Sequence, residues 1–104
     1  MITIEEPAQN VIYKEDVSTT SSGTKIIAAP CVIYKILITL DTSGDAIVSF
    51  SDDSDKYTST DRVAKIAISG PATIPVTFPK GLPITSGLYA TSNLPSVDIT
   101  VVYD

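Results

Sequence analysis

Residues 31–50 read CVIYKILITLDTSGDAIVSF, and the way they divide decides the fold. In CVIYKILITL, Val32, Tyr34, Ile36, Ile38 and Leu40 fall on one face and Ile33, Lys35, Leu37 and Thr39 on the other. β-Branched residues are frequent in both sets, so the two-residue period predicts a central strand. DTSGD, residues 41–45, has the composition of a turn. AIVSF then sets Val48 and Phe50 against Ile47 and Ser49, and the two runs are expected to pair as a hairpin.

Working outward, RVAKIAIS (62–69) keeps Ala64, Ile66 and Ile68 in phase, and TIPVTF (73–78) does the same with Ile74, Val76 and Phe78. Pro75 has no N–H to give a ladder, which assigns its strand to an edge or a bulge. A short run follows around Leu88 in GLYATS (87–92), and VDITVVY (97–103) alternates Val97, Ile99, Val101 and Tyr103 against Asp98, Thr100 and Val102. Upstream, NVIYK and TKIIA are weak strands separated by the polar STTSSGT, which reads as a loop. No run has helical periodicity. The sum is about eight strands, the expectation for an all-β, single antiparallel β-sandwich with jelly-roll or immunoglobulin-like Greek-key order and an extended N-terminal arm. Residues 1–30 are read as the arm and weak edge strands and residues 31–104 as the sandwich core, one domain overall. The expected core is Val32, Tyr34, Ile36, Ile38, Leu40, Val48, Phe50, Ile66, Ile68, Val76, Phe78, Leu88, Ile99, Val101 and Tyr103.

Composition limits what such a domain does. There is no histidine among the 104 residues, which removes Ser-His-Asp and Cys-His catalysis and most zinc sites. A Ser-Lys pair through Lys35 or Lys65 is singled out by no spacing, and the lack of tryptophan leaves little surface for a glycosidase cleft. The expectation is a non-enzymatic chain without a cofactor. A net charge of −5 with seven basic residues opposes binding to nucleic acid, and no basic amphipathic stretch points to a membrane. The first ten residues, MITIEEPAQN, lack the basic and apolar regions of a secretory signal. Cys31 stands alone, so it forms no internal disulfide and is expected to be a buried, inert thiol in a chain folded under reducing conditions. Hydrophobic residues make up 43% of a chain too small to hide them all, so part of the surface is expected to be covered by a partner or by further copies.

SFSDDSDKYTST, residues 49–60, crowds Asp52, Asp53 and Asp55 together. These are the candidate metal ligands, but the alternation, central glycine and closing glutamate of an EF-hand loop are missing, so no metal is expected. The acids read instead as the wet tip of a loop. Tyrosine suits recognition surfaces, and Tyr13 and Tyr57, set among polar residues, join Ile2, Ile4, Val11 and Ile12 of the arm as interface candidates.

TIPVTFPKGLPITSGLYATSN (73–93), a polar turn and VDITVVYD (97–104) together show an apolar strand, an FP.GLP bend, a GLY strand and a last strand ending in an aromatic. This pattern resembles the closing half of small β-sandwich structural proteins of tailed bacteriophages, among them head decoration (cement) proteins. Residues 31–104 lie along it and the first thirty do not. The resemblance carries no catalytic or ligand motif. It implies a virion protein on the phage head surface, assembled in the bacterial host cytoplasm, bound where major capsid protein subunits meet and commonly a homotrimer. A different expectation is a binding module, either a carbohydrate-recognition domain or a tail or fibre accessory sandwich.

Overall fold

The computed structural model describes residues 10–104. They form β1 (Asn10–Lys14), β2 (Thr24–Ile27), β3 (Cys31–Asp52), β4 (Arg62–Ile84), β5 (Leu88–Ser92) and β6 (Val97–Tyr103), and none of the described residues is helical. Every pairing is antiparallel. One sheet results, in the order β1-β6-β3-β5-β2 with β4 added on β3, curled nearly into a barrel.

β3 organises the sheet. Its first part, Ile33–Leu40, lies between β6 and the second part of β4; its last part, Val48–Asp52, lies between β5 and the first part of β4. Fully extended, a strand of this length would span about 70 Å. The molecule's longest dimension is 51 Å, so β3 bends.

The expected hairpin between residues 31–40 and 46–50 is therefore corrected. Both runs belong to one strand, and the runs at 62–69 and 73–78 likewise fuse into β4, so the expected eight strands become six. DTSGD is a bulge. Leu40 pairs with Ala72 and Gly44 with Gly70, so residues 41–43 of β3 stand opposite Pro71 alone. Surplus residues on one side of a ladder bend the strand and sharpen its twist, and small polar residues and glycine suit that job as well as they suit a turn. Gly44 takes φ 132°, a conformation L side chains rarely adopt.

A second irregularity moves the core phase. Ile33 pairs with Tyr103 and Lys35 with Val102, which leaves Tyr34 as an extra residue. Ile33 is consequently fully buried, while Val32 and Tyr34 are half-buried and lie outside the core cluster. Beyond the bulge the even phase holds through Ile36, Ile38, Leu40, Val48 and Phe50, joined by Ile68, Leu88, Ile99 and Val101. Ile66, Phe78 and Tyr103 pack on this cluster from partly buried positions, and Val76 stays half-buried outside it. Val17, Ile26 and Ile27, from the first thirty residues, are buried members of the same cluster. Pro75 and Pro83 sit on β4, whose one partner among the described residues is β3, where a missing N–H is tolerated.

Candidate functional site

The acidic stretch is built from two separate carboxylate cradles. Asp52 ends β3 and faces the turn after β4. Its Oδ2 accepts the Thr85 N–H at 2.8 Å and the Thr85 hydroxyl at 2.9 Å; its Oδ1 accepts the N–H groups of Ser86 at 2.8 Å and Gly87 at 3.3 Å. Burial acts to raise the Asp52 pKa, but the donors of Thr85, Ser86 and Gly87 more than offset it and hold the carboxyl below the ordinary range. Asp53 turns back on its own loop. Its Oδ1 accepts the N–H groups of Asp55 at 2.9 Å and Lys56 at 3.4 Å, an Asx turn, and Oδ2 accepts the Thr58 hydroxyl at 3.2 Å. The Asp55 N–H leads the causes that lower its pKa. Asp55 itself is exposed. The three acids thus point to different partners, and among the described residues no group of three or more metal-ligating side chains converges.

Asp52 makes a pH prediction. A carboxyl whose folded pKa is depressed stabilises the fold above its unfolded pKa, and that contribution is lost as pH falls through the folded value. The urea midpoint is expected to stay level from neutrality to about pH 5 and to fall below about pH 4. Asp52→Asn turns an amide N–H toward backbone N–H groups. It is expected to cost about 1.5 kcal/mol at neutral pH, the low end for charged hydrogen bonds because Asp52 is part-exposed, and to flatten the acid limb. Equal midpoints and equal acid limbs would show that the cradle contributes nothing.

Cys31 opens β3 half-buried, not fully buried as expected; burial first and then the Asp52 charge raise its pKa, so it stays a thiol at neutral pH. Tyr57 is half-buried in the loop between β3 and β4, its N–H donating to the Ser22 carbonyl at 2.8 Å. Gly23 lies against it with φ 73°, where an added Cβ would come within 2.8 Å of the Tyr57 Cβ. Tyr57 therefore joins two loops of its own chain.

The other interface candidates divide by strand phase. Ile2 and Ile4 lie outside the described residues. Within the expected arm, Asn10–Lys14 is β1, paired with β6 in its own sheet, and Ile12 packs on the core. Val11 and Tyr13 point the other way and are 66% and 53% exposed. The register extends their face across four strands. Val11 lies beside Val102, then Lys35 and Thr77; Tyr13 lies beside Thr100, then Leu37 and Pro75; Asp98, Thr39 and Thr73 make a third row. The Thr39 and Thr73 hydroxyls bond at 2.9 Å. Lys35 and Asp98 are the charged members of these rows. Partial burial and then the Asp98 charge raise the Tyr13 pKa, which keeps the phenol protonated.

No family model, curated protein or solved structure matches this chain.

Its outward rows were visible in the sequence as the second set of each alternation, where Leu37 and Val102 are apolar residues on the side away from the core. What the sequence did not supply was the register that sets Val11 and Tyr13 beside them.

Proposed function

We propose that this chain is a non-enzymatic structural protein that acts by adhesion, of the capsid decoration type that its C-terminal half resembles, docking on major capsid protein and stabilising a phage head. The observation that carries the reading is the four-strand outer face of Val11, Tyr13, Thr100, Val102, Leu37 and Pro75. It is broad, weakly charged and partly apolar, on a chain that otherwise carries a net charge of −5. Such a face suits a protein partner, because desolvating it costs few charges and tyrosine contributes area while its hydroxyl stays wet. The finer architecture belongs to the same reading. On this reading the two parts of β3 and of β4 count separately, and the pairings β1-β6-β3-β4 and β4-β3-β5-β2 would be the two layers of a Greek-key sandwich.

The mechanism is linkage. A protein that binds the assembled shell and not its dissociated subunits stabilises the shell by mass action, without covalent chemistry. In a homotrimer each modest contact is repeated, so the second and third bind at high effective concentration. The test is co-sedimentation with heads of the parent phage. Wild-type chain is expected to partition with shells at fixed stoichiometry and Tyr13→Asp to lose roughly tenfold in occupancy, since it buries an unpaired charge, with its circular dichroism unchanged. Equal occupancy of the folded variant would overturn the docking face, and no partition of the wild type would overturn the capsid reading.

A further inference from the structure

The opposite end of the sheet carries a second surface of different chemistry. On the last part of β3, Ala46, Val48 and Phe50 face the core, while Ile47 and Ser49 face outward. Ser49 has Lys65 of β4 on one side and Thr91 of β5 on the other. The loop before β2 closes one flank, because the Thr91 hydroxyl lies within reach of the carbonyls of Ser18 at 3.2 Å and Thr20 at 2.8 Å, and the Ser92 N–H donates to Ser18 at 3.2 Å. Between loop and strands lies an open groove of about 410 Å³, with Arg62 and Lys65 along one wall, Asn93 at the far end and Ile47 and Ser49 on its floor.

Donors dominate this groove. Arg62 is the chain's one arginine, and guanidinium and ammonium groups donate without accepting. Among the described residues no acid lines the groove: Asp61, whose Oδ2 shares the Thr58 hydroxyl with Asp53, and Asp45, which accepts the Ser69 hydroxyl at 2.6 Å, both lie outside its walls. Asn93 is fixed by the Ile47 N–H, which donates to its Oδ1 at 2.6 Å, so the side chain's two N–H donors remain for another partner. Ser49 is 8% exposed and its hydroxyl bonds to no group among the described residues. No sealed side-chain oxygen or nitrogen among them lacks a partner, so the Ser49 hydroxyl opens onto the groove. Two cations, an oriented amide and an unpartnered hydroxyl in the floor make a site for an oxyanion, on a chain whose net charge otherwise repels anions.

Ile47 decides what the anion is attached to. It is 40% exposed in the floor, an apolar step beside the donors, and the hydroxyls of Thr20 and Ser21 line the rim. A sugar ring presents both an apolar C–H face and hydroxyls. We propose that the groove binds an anionic saccharide, its sulfate or carboxylate held by Arg62, Lys65 and the Asn93 amide over Ser49, with a ring face on Ile47. This site is separate from the docking face and does not rest on the capsid reading.

The experiment is a 15N NMR titration of the full chain with a heparin-derived tetrasaccharide as sulfated probe and a galacturonate oligomer as carboxylated probe. Inorganic sulfate, a neutral cello-oligosaccharide and a single-stranded DNA oligomer are the comparisons. Saturable shifts centred on Ser49, Arg62, Lys65 and Asn93 with either acidic saccharide are expected; which of the two binds more tightly names the anionic group. Arg62→Gln is expected to weaken binding roughly tenfold, the loss of a charge-assisted pair, and Lys14→Gln, on β1 and outside the groove lining, to leave it unchanged. Ser49→Ala gives a second readout, since it removes the floor hydroxyl without touching charge. Absence of shifts in this groove, binding unaffected by Arg62→Gln, or equal affinity for inorganic sulfate, the neutral sugar or DNA would each overturn the proposal.

Discussion

Phe50→Ala is expected to lower the unfolding free energy by about 4–5 kcal/mol, the upper end for an aromatic truncated in a core. The reason lies in its neighbours. Phe50 is fully buried in β3, and the residues beside it in register are Ala64 on β4 and Ala90 on β5. The ring occupies the space that two alanines leave, so removing it produces a cavity with no bulky side chain beside it in the sheet to lean in. A domain of this size holds about 5–15 kcal/mol in total, which puts the variant near its unfolding threshold at room temperature. Phe50→Leu keeps most of the volume and is expected to cost less than about 2 kcal/mol. Urea titrations of the three chains measure both values. A loss below about 2 kcal/mol for Phe50→Ala would mean that the sheet closes over the gap and that the packing around Ala64 and Ala90 is looser than described.

The second large effect belongs to Gly70, which faces the bulge of β3. A Cβ at this position would collide with the Thr42 carbonyl oxygen and stand 2.6 Å from Cγ of Leu40, a residue that is itself fully buried. Leu40 can turn aside only at the expense of the core, and the carbonyl is backbone. Gly70→Ala is therefore expected to cost about 3 kcal/mol, at the upper end for overpacking. The variant also separates two folds. If residues 41–45 were a hairpin turn, Gly70 would be free of Thr42 and alanine would be tolerated, so a wild-type urea midpoint would refute the continuous β3–β4 ladder. In the double variant Leu40→Ala/Gly70→Ala the side-chain collision is gone and the one with the carbonyl remains. Its stability is expected to stay below that of Leu40→Ala alone.

The two residues show where sequence reasoning reached and where it stopped. Phe50 was legible because an alternating run with β-branched neighbours names its own buried face, and the same logic found Ile36, Ile38, Leu40, Ile99 and Val101. Gly70 was not legible. Asp, Thr, Ser and Gly serve a bulge and a turn equally well, so DTSGD gave no sign that the strand continued through it. Tyr34 failed for a related reason. A single surplus residue reverses the alternation, and it is defined only by the partner strand, here β6, which lies about seventy residues further along the chain.

The sites divide in the same way. Local chemistry was enough to see that the Asp52–Asp55 acids lack calcium spacing, and Asp53 closes its Asx turn within five residues of itself. The cradle around Asp52 comes from Thr85, Ser86 and Gly87, across a register no local pattern encodes. The groove is assembled from four segments: Ile47 and Ser49, Arg62 and Lys65, Asn93, and the loop around Thr20. Two of its members did carry a signal in isolation. A lone arginine in an acidic chain, and an isoleucine on the outward phase of a strand, are residues that the core does not explain.

The place of β6 matters while the polypeptide is still being made. β3 leaves the ribosome ahead of β6, yet β6 is both its neighbour and, among the described residues, the one strand partner of β1, so the sheet stays open until residues 97–103 have emerged. A nascent chain that has not yet released β6 displays a long unpaired edge, the kind of surface that recruits chaperones or seeds aggregates.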